Sequence, residues 1–484
     1  MTNNIHEECG IFGVYRNRSA SQDAVTLTYL GLFACQHRGQ ESCGIAVNNN
    51  GHVDYYTGTG LVSEVFTKDA IKSLNASGKG DMAIGHVRYS PANEASPVNS
   101  QPLVMQYAKG SLSISCNGRL TNRRQLRAEL ENKGTVFQTD TDAEIIAYLV
   151  AEKRLSTDSV EKAAGLVMQQ LKGAYSFIIM SPHKLIAARD PMGFRPMCIG
   201  KSDMTYYVCS ESCQIDTAGG TFIRDVAPGE IAVIDNHGIT SDTSHCGGPT
   251  SFCSFEYIYF ARPDSVINGL SVHDARIEAG RILARKHPAD ADIVIGIPDS
   301  GMDAALGYSY ESGIPYELGF IKNKYIGRTF IEENKNKRRQ SVSIKLNVLS
   351  QTVRGKRVVV VDDSIVRGTT ITDLIDQIRQ AGAEQIHIRI SSPPFINVCW
   401  YGTDITSKDD LIACTYTPDE ICSRIGADSL GFLSADDLRM LTAGASCSCC
   451  DGCFTGNYPT DVSSDDDFRD RYAEKIEKDS KTGD

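Results

Sequence analysis

Basic residues are in deficit. The chain carries 49 Lys and Arg against 60 Asp and Glu, a formal charge of −11. That balance argues against general binding to nucleic acid or a membrane surface, so an anionic ligand has to be met by a local basic patch. No apolar run approaches the roughly 20 residues that cross a bilayer. The N-terminus has neither the basic segment nor the apolar one of a secretory signal, and a cytoplasmic setting is expected. There is no internal repeat. The stretch "VVVVDDSIVRGTT" at 358–370 holds no glycine–lysine–Ser/Thr triplet and so is not a Walker A phosphate loop. Cysteine, by contrast, is abundant, with 16 along the chain and a dense group in "CSCCDGCFTG" at 447–456. Where structural disulfides are rare, such usage points to metal or catalytic roles.

A length of 484 residues gives a prior of roughly three domains, two large ones being possible. Up to about residue 240 the chain reads as short strands with turn punctuation, interrupted by helices. "SCGIAVNNNGHVDYYTG" and "AYSFIIMSPHKLIAARDP" are hairpin signals, "MAIGHVRYS" and "SLSISCNG" are strands, and "DAEIIAYLVAEKR" and "VEKAAGLVMQQLKG" have helical spacing. This order predicts a layered α+β domain with sheets covered by helices. The polar, glycine-rich "NHGITSDTSHCGGPTS" fits a boundary. Beyond it, "ADIVIGIPDSG", "IPYELGFI", "GKRVVVVDDSIVRGTT" and "QIHIRIS" alternate with helical stretches, the grammar of a parallel sheet. The tail from residue 461 is acidic and is read as a solvated helix or disordered.

"VVVVDDSIVRGTT", Val358–Thr370, is the most specific stretch. A buried strand delivers Asp362 and Asp363 to its carboxyl end, where open α/β sheets bind ligands. The following loop offers backbone N–H groups and the hydroxyls of Ser364, Thr369 and Thr370, then opens a helix, which makes an anion cradle. Gly368 lets the backbone come close to a phosphate. Two adjacent carboxylates beside such a cradle suit ribose hydroxyls and a divalent cation. The plain alternative is a strand end with a polar helix cap.

In the first half, Cys9 and Gly10 stand behind two glutamates at the head of an apolar run. Cys9 is either a small hydrophobe on a half-buried strand or a nucleophile whose α-amino group is freed by cutting after Glu8. Arg88 in "GHVRYS" has the fork for a carboxylate and Asp142 in "QTDTDAEI" the charge for an ammonium group, together a zwitterionic amino acid. Asn117 and Gly118 in "CNGRLTN" have the donors for a tetrahedral oxyanion. Taken singly, an ion pair and an Asn-Gly turn explain these residues as well.

The loop at Val358–Thr370 resembles the PRPP loop of type I phosphoribosyltransferases. That resemblance implies that Asp362, Asp363, Ser364, Val366, Arg367, Gly368, Thr369 and Thr370 bind 5-phosphoribosyl 1-pyrophosphate (PRPP). It further implies magnesium at Ser300, Asp362 and Asp363. "GIPDSG" (296–301) resembles the loop facing the pyrophosphate. "IKNKYIGRTFI", with Lys322, Lys324 and Arg328 followed by "KNKRRQ", resembles the mobile loop, although such a charge run alone is as well read as a solvated face. The first-half set is similar to the class II glutamine amidotransferase domain of the N-terminal nucleophile hydrolases. There Cys9 would be the nucleophile with its own α-amine as base, Asn117 and Gly118 the oxyanion donors, and Arg88 and Asp142 the glutamine ligands. Residues 1–8 would then be a propeptide. The chain departs from that family's usual His-Asn-Gly-Asn, having Cys116 and Arg119, and has Pro91–Glu94 where glycines are usual.

The two domains together resemble the amidophosphoribosyltransferase family, in its iron–sulfur branch, over roughly residues 9–460. "ARDPMGFRP", "EYIYFARPDS" and "CFTGNYPT" belong to the same likeness. Implied are an αββα four-layer N-terminal sandwich over 9–240, a Rossmann-like phosphoribosyltransferase domain over 253–460 and the tail 461–484. Also implied are conversion of PRPP, glutamine and water to 5-phosphoribosylamine, pyrophosphate and glutamate, internal passage of ammonia, inhibition by purine nucleotides and a homotetramer. Rival readings are an ammonia-dependent synthase with an impaired glutaminase and a non-catalytic PRPP- or nucleotide-binding regulator. The resemblance places a 4Fe–4S cluster on Cys253, Cys399, Cys450 and Cys453. A C-x-x-C alone equally fits zinc or a redox pair, and Cys447 and Cys449 leave the ligating pair open.

Overall fold

The computed structural model describes residues 9–16, 22–89, 96–203, 205–323, 346–405 and 407–462. The strand Gly10–Tyr15 is buried along nearly its whole length because it has a layer on each side. Its alternation sends Phe12 and Val14 toward the helix Ala24–Ala34, where they meet Leu27 and Leu32. Ile11 points the other way, into an apolar layer shared with Ile84, Ile178, Met180 and Leu185. That layer separates two antiparallel sheets of seven and six strands. The far face of the second sheet, with Ile114, Phe177 and Ile179, is covered by the helices Asp142–Arg154 and Val160–Met168 through Ile145, Ile146, Ala163 and Val167. Helix, sheet, sheet and helix make the expected four layers.

Local chemistry sets these elements. Asn50 and Gly51 both have positive φ, which suits the two-residue turn joining Ser42–Asn49 to His52–Thr59 in the register Ala46↔Tyr55. The helix Asp142–Arg154 carries Asp142 and Glu144 in its first turn and Lys153 and Arg154 in its last, complementing its dipole. One sequence expectation needs correcting. Gly238–Asp242, in the polar stretch read as a boundary, pairs with Ile231–Asp235 as the edge strand of the six-stranded sheet. An exposed edge has little to bury, so its composition reads as loop.

The second half is built on four parallel strands in the order Ile293–Gly296, Arg357–Asp362, Gln385–Ile390 and Ser429–Phe432. Ile371, Leu374, Ile375 and Ile378 of the helix Thr369–Gln380 are buried, as their spacing predicts. "IPYELGFI" adds no strand to this sheet. Tyr316 makes a single bridge to Val294, and Phe320–Lys322 pairs antiparallel with Leu346–Val348. The helices Val272–Lys286 and Gly301–Ser312 touch backbone to backbone: a Cβ on Gly280 would lie 1.9 Å from the Ala304 carbonyl oxygen, and one on Gly307 1.9 Å from that of Ile277. A two-residue parallel ladder, Phe252–Cys253 with Cys449–Cys450, brings the chain's C-terminal part back to the junction of its halves.

Candidate active sites

Cys9 precedes the central strand of the seven-stranded sheet. The register Gly10↔Val87, continued by one residue, sets Cys9 opposite Arg88. The Cys9 thiol donates to the Tyr89 carbonyl at 3.6 Å. Gly10 is obligatory here, because a Cβ would lie 2.8 Å from the Cys35 sulfur and 2.9 Å from Val87. Gly39 and Glu41 clasp the other side. A Cβ on Gly39 would lie 2.5 Å from the Arg88 carbonyl carbon, and the Glu41 N–H donates to the Arg88 carbonyl at 3.1 Å. Arg88 is buried, with Nη1 donating to the Asn99 carbonyl at 3.2 Å and Nε without a partner among the described residues.

The strand Gly110–Leu120 presents Cys116, Asn117 and Gly118 from the second sheet. Burial pushes the Cys116 thiol well up, and the charges of Asp142 and Cys9 push it further. The Cys116 N–H donates to Gln101 Oε1 at 2.8 Å and its carbonyl meets His86 Nε2 at 3.1 Å, which fixes the backbone on both sides. Asn117 is fully buried, and neither its amide nitrogen nor its oxygen has a partner among the described residues. Gly118 has φ 131°, and a Cβ there would lie 2.3 Å from the Ala174 carbonyl oxygen. Asp142 accepts from the Leu120 N–H at 2.8 Å and pairs with Arg123 at 2.9 Å, a partner the sequence reading did not include. Residues 1–8 and Pro91–Glu94 lie outside the described residues.

In the second half the strand Arg357–Asp362 ends in the acidic pair, and Gly368 (φ 80°) turns the chain into the helix Thr369–Gln380. Burial and the neighbouring Asp363 push the Asp362 carboxyl well up. Burial also raises Asp363, against hydrogen bonds from Ser300 and Ser364 and the charge of Arg276. Two buried carboxyls this close cannot both ionise cheaply without a cation. Gly301 lets the second loop press on the first, for a Cβ would lie 2.4 Å from the Val361 carbonyl oxygen. The Val366 carbonyl accepts from the Ile412 N–H at 2.8 Å, and the Arg367 side chain is paired with Asp410, so the backbone is what this stretch offers a phosphate. Lys322 pairs with Asp299 in the second loop. Lys324, Arg328 and the "KNKRRQ" run lie outside the described residues.

Between the two sites runs a buried charge network. Arg38 donates through Nε to Glu211, and through Nη1 (3.2 Å) and Nη2 to the two oxygens of Glu256. Glu211 also takes His37 Nε2 at 2.8 Å, Ser265 Oγ at 2.7 Å and the Arg262 N–H at 2.9 Å. Burial opposes its ionisation, yet Arg38 and then His37 hold its carboxyl well below the usual range. Tyr89, whose carbonyl receives the Cys9 thiol, sends its hydroxyl to Asp404 at 3.3 Å.

At the same junction the ladder sets Cys253 beside Cys450. The Cys453 carbonyl accepts from Ile396 and Asn397 at 3.2 and 3.0 Å, drawing in the segment that carries Cys399. Burial pushes the Cys453 thiol well up, and Cys399, Cys450 and Cys253 add to it. Burial likewise raises Cys253, against the charge of Arg195. Cys449, raised to about 11 by burial, answers instead to Cys447. Among the described residues no three His, Cys, Asp or Glu groups are drawn together as holders of a metal ion.

Comparison with known proteins decides what these sites belong to. Residues 86–217 match the glutamine amidotransferase domain model and residues 271–391 the phosphoribosyl transferase domain model. The amidophosphoribosyltransferase of Bacillus subtilis is 43% identical over 466 residues, covering 95% of this chain and 96% of that one. The chain belongs to the amidophosphoribosyltransferase family. It is a glutamine amidotransferase and pentosyltransferase, of the kind that opens purine biosynthesis. The Archaeoglobus fulgidus amidophosphoribosyltransferase is 44% identical, covering 94% of this chain and 98% of that one. The solved structure of B. subtilis glutamine PRPP amidotransferase, complexed with ADP and GMP, superposes with a TM-score of 0.87 at 43% identity, covering 94% of this chain and 98% of that one.

Arg38, Glu211, Glu256, Arg276 and Arg123 were not singled out from the sequence. Glu256 opens the quoted "EYIYFARPDS", but it stands 218 residues from Arg38 and nothing local announces their pairing. No helix among the described residues is long and apolar enough to cross a membrane.

Proposed function

We propose that the chain makes 5-phosphoribosylamine, pyrophosphate and glutamate from PRPP, glutamine and water, with Cys9 as nucleophile once residues 1–8 are removed. Arg88 holds the glutamine α-carboxylate, while Asp142, shared with Arg123, holds its α-ammonium group. The Cys9 thiol attacks the side-chain amide carbon and gives its proton to the residue's own α-amine. The oxyanion is received by Asn117 Nδ2 and the Gly118 N–H. Ammonia leaves, and water hydrolyses the thioester to glutamate. One observation carries this reading: Asn117 is fully buried with both polar side-chain atoms unpartnered among the described residues. Such an amide is costly to leave idle and fits an acceptor that develops only during reaction.

The ammonia passes inside the protein to C1 of PRPP and displaces pyrophosphate. The loop Ser364–Thr370 binds the 5′-phosphate through backbone N–H groups and hydroxyls, and the helix it opens favours the anion. Asp362 and Asp363 meet the ribose hydroxyls. The pair fits magnesium, held with Ser300, which when bound supplies charge against the leaving pyrophosphate. Cys253, Cys399, Cys450 and Cys453 would hold a 4Fe–4S cluster, which would supply a structural tie and no electron to this chemistry. Purine nucleotides as feedback inhibitors accord with the ADP and GMP bound by the B. subtilis relative. A homotetramer completes the reading.

The test uses anaerobically purified full-length protein with magnesium and glutamine, following glutamate release with and without PRPP. PRPP-stimulated release that disappears in Cys9→Ala, while that variant still forms pyrophosphate from PRPP and added ammonia, is the expected result. Undiminished release from Cys9→Ala overturns the assignment of the nucleophile.

A further inference from the structure

We propose that Glu256 is a positioning residue that ties glutamine cleavage to occupancy of the phosphoribosyl loop, through its buried carboxylate on Arg38. The inference rests on the site assignments above. Ammonia released with no acceptor in place is lost to solvent, so two separated sites gain from a link between them. A continuous one is present. Ser300, at the head of the helix Gly301–Ser312, donates to Asp363. That helix meets Val272–Lys286 at Gly307 and Gly280, with no room for one methyl group at either. A displacement of the first helix is therefore passed to the second instead of being absorbed.

The second helix carries Arg276, which is buried and spends its guanidinium on a single turn of chain. Nε donates to the Tyr257 carbonyl at 2.8 Å, and Nη2 to those of Tyr259 at 3.1 Å and Ala261 at 2.7 Å. This turn, Glu256–Phe260, is π-helical, a form common where backbone geometry serves a site. Arg276 is also within the electrostatic reach of Asp363. At the head of the turn Glu256 grips Arg38 with both oxygens. Arg38 sits in the loop that backs the glutamine site: its Cβ would be 3.4 Å from a Cβ on Gly10, and the next residue, Gly39, lies against the Arg88 backbone.

The grip has a second available arrangement. Arg195 Nη1 stands 3.9 Å from Glu256 Oε1, outside hydrogen-bond range, while Arg38 also holds Glu211. Glu256 thus faces two guanidiniums, and a shift of the turn alters how its charge is divided between them. One carboxylate facing two guanidiniums is the kind of element through which two sites can be coupled.

The experiment compares wild type, Glu256→Gln and Glu256→Asp in the assembled protein. For each, glutamate release is measured with and without PRPP, together with ammonia-dependent pyrophosphate formation. The expected result is that Glu256→Gln loses stimulation by PRPP, a fall of about tenfold, while PRPP-free release and the ammonia reaction stay near wild type. Glu256→Asp keeps the charge but shortens the reach, so it folds where Gln does not and gives an intermediate stimulation. Wild-type stimulation in both folded variants overturns the inference, and so does a parallel loss of all three activities. Wild-type protein whose release is the same with and without PRPP overturns the inference alone. Wild-type protein that releases no glutamate at all overturns the site assignments beneath it.

Discussion

His86 is fully buried, donates through Nε2 to the Cys116 carbonyl, and leaves Nδ1 unpartnered among the described residues. Burial, and then the charge of Arg88, lower its pKa to about 3. In the unfolded chain the same imidazole titrates at about 6.5. Between those values the unfolded state binds a proton that the folded state refuses, so stability is full above about pH 6.5 and declines as pH falls, by about 1.4 kcal/mol per unit from this group. Replacing His86 with Gln removes that slope, and urea unfolding midpoints measured from pH 7 to pH 4 should be flatter in the variant than in wild type. Because His86 steadies the strand that presents Asn117, wild-type glutaminase should decline alongside. At this scale the sequence offered as candidates the residues that stand in short motifs: Cys9, Asn117, Gly118, Asp362 and Asp363. It did not disclose His86 or Arg123, since a histidine on a strand and an arginine opening a helix have no distinguishing pattern until a distant segment lies against them.

The elements were legible where burial imposes a period. The helix Asp142–Arg154 has the span quoted from its spacing, and Val358–Val361 reads as a parallel strand because both its faces are covered. The edge strand Gly238–Asp242 escaped because one face and one side are exposed. Glycines inside helices are weak formers and would ordinarily lower confidence in a helix. Gly280 and Gly307 are there for contact: each occupies the point where two helix backbones meet. Alanine improves intrinsic helix propensity at both sites, yet at Gly280 it places a methyl group 1.9 Å from a carbonyl oxygen. Gly280→Ala should therefore destabilise by about 2 kcal/mol or more despite the propensity gain. Calorimetric unfolding checks the sign, and an increase in the transition temperature would mean that the helices part without cost.

For the whole molecule, the two halves are joined by charge at Arg38, Glu211 and Glu256 and by the backbone bond from the Cys253 N–H to the Phe194 carbonyl at 3.2 Å. Removing one member of a buried ion pair costs about 3–5 kcal/mol because its partner is left uncompensated, so this seam is stiff. If the thiols of Cys253, Cys399, Cys450 and Cys453 hold an iron–sulfur cluster, Cys399→Ser should lower the iron content of anaerobically purified protein and its brown absorbance. It should also lower the thermal midpoint, with glutaminase falling although Cys399 touches nothing in that site. Retained iron at wild-type stoichiometry would exclude Cys399 as a ligand. The ladder that sets Cys253 beside Cys450 is only two residues long, and nothing local in "CSCCDGCFTG" announces it. That ladder also bears on the order of synthesis. The strand at Phe252–Cys253 leaves the ribosome about two hundred residues before its partner at Cys449–Cys450. Until then the glutaminase half can assemble its sheets, but the turn at Glu256 lacks the segment that backs it. The growing chain therefore carries an unfinished joint through most of its translation, and the two sites become one machine only when the last cysteines arrive.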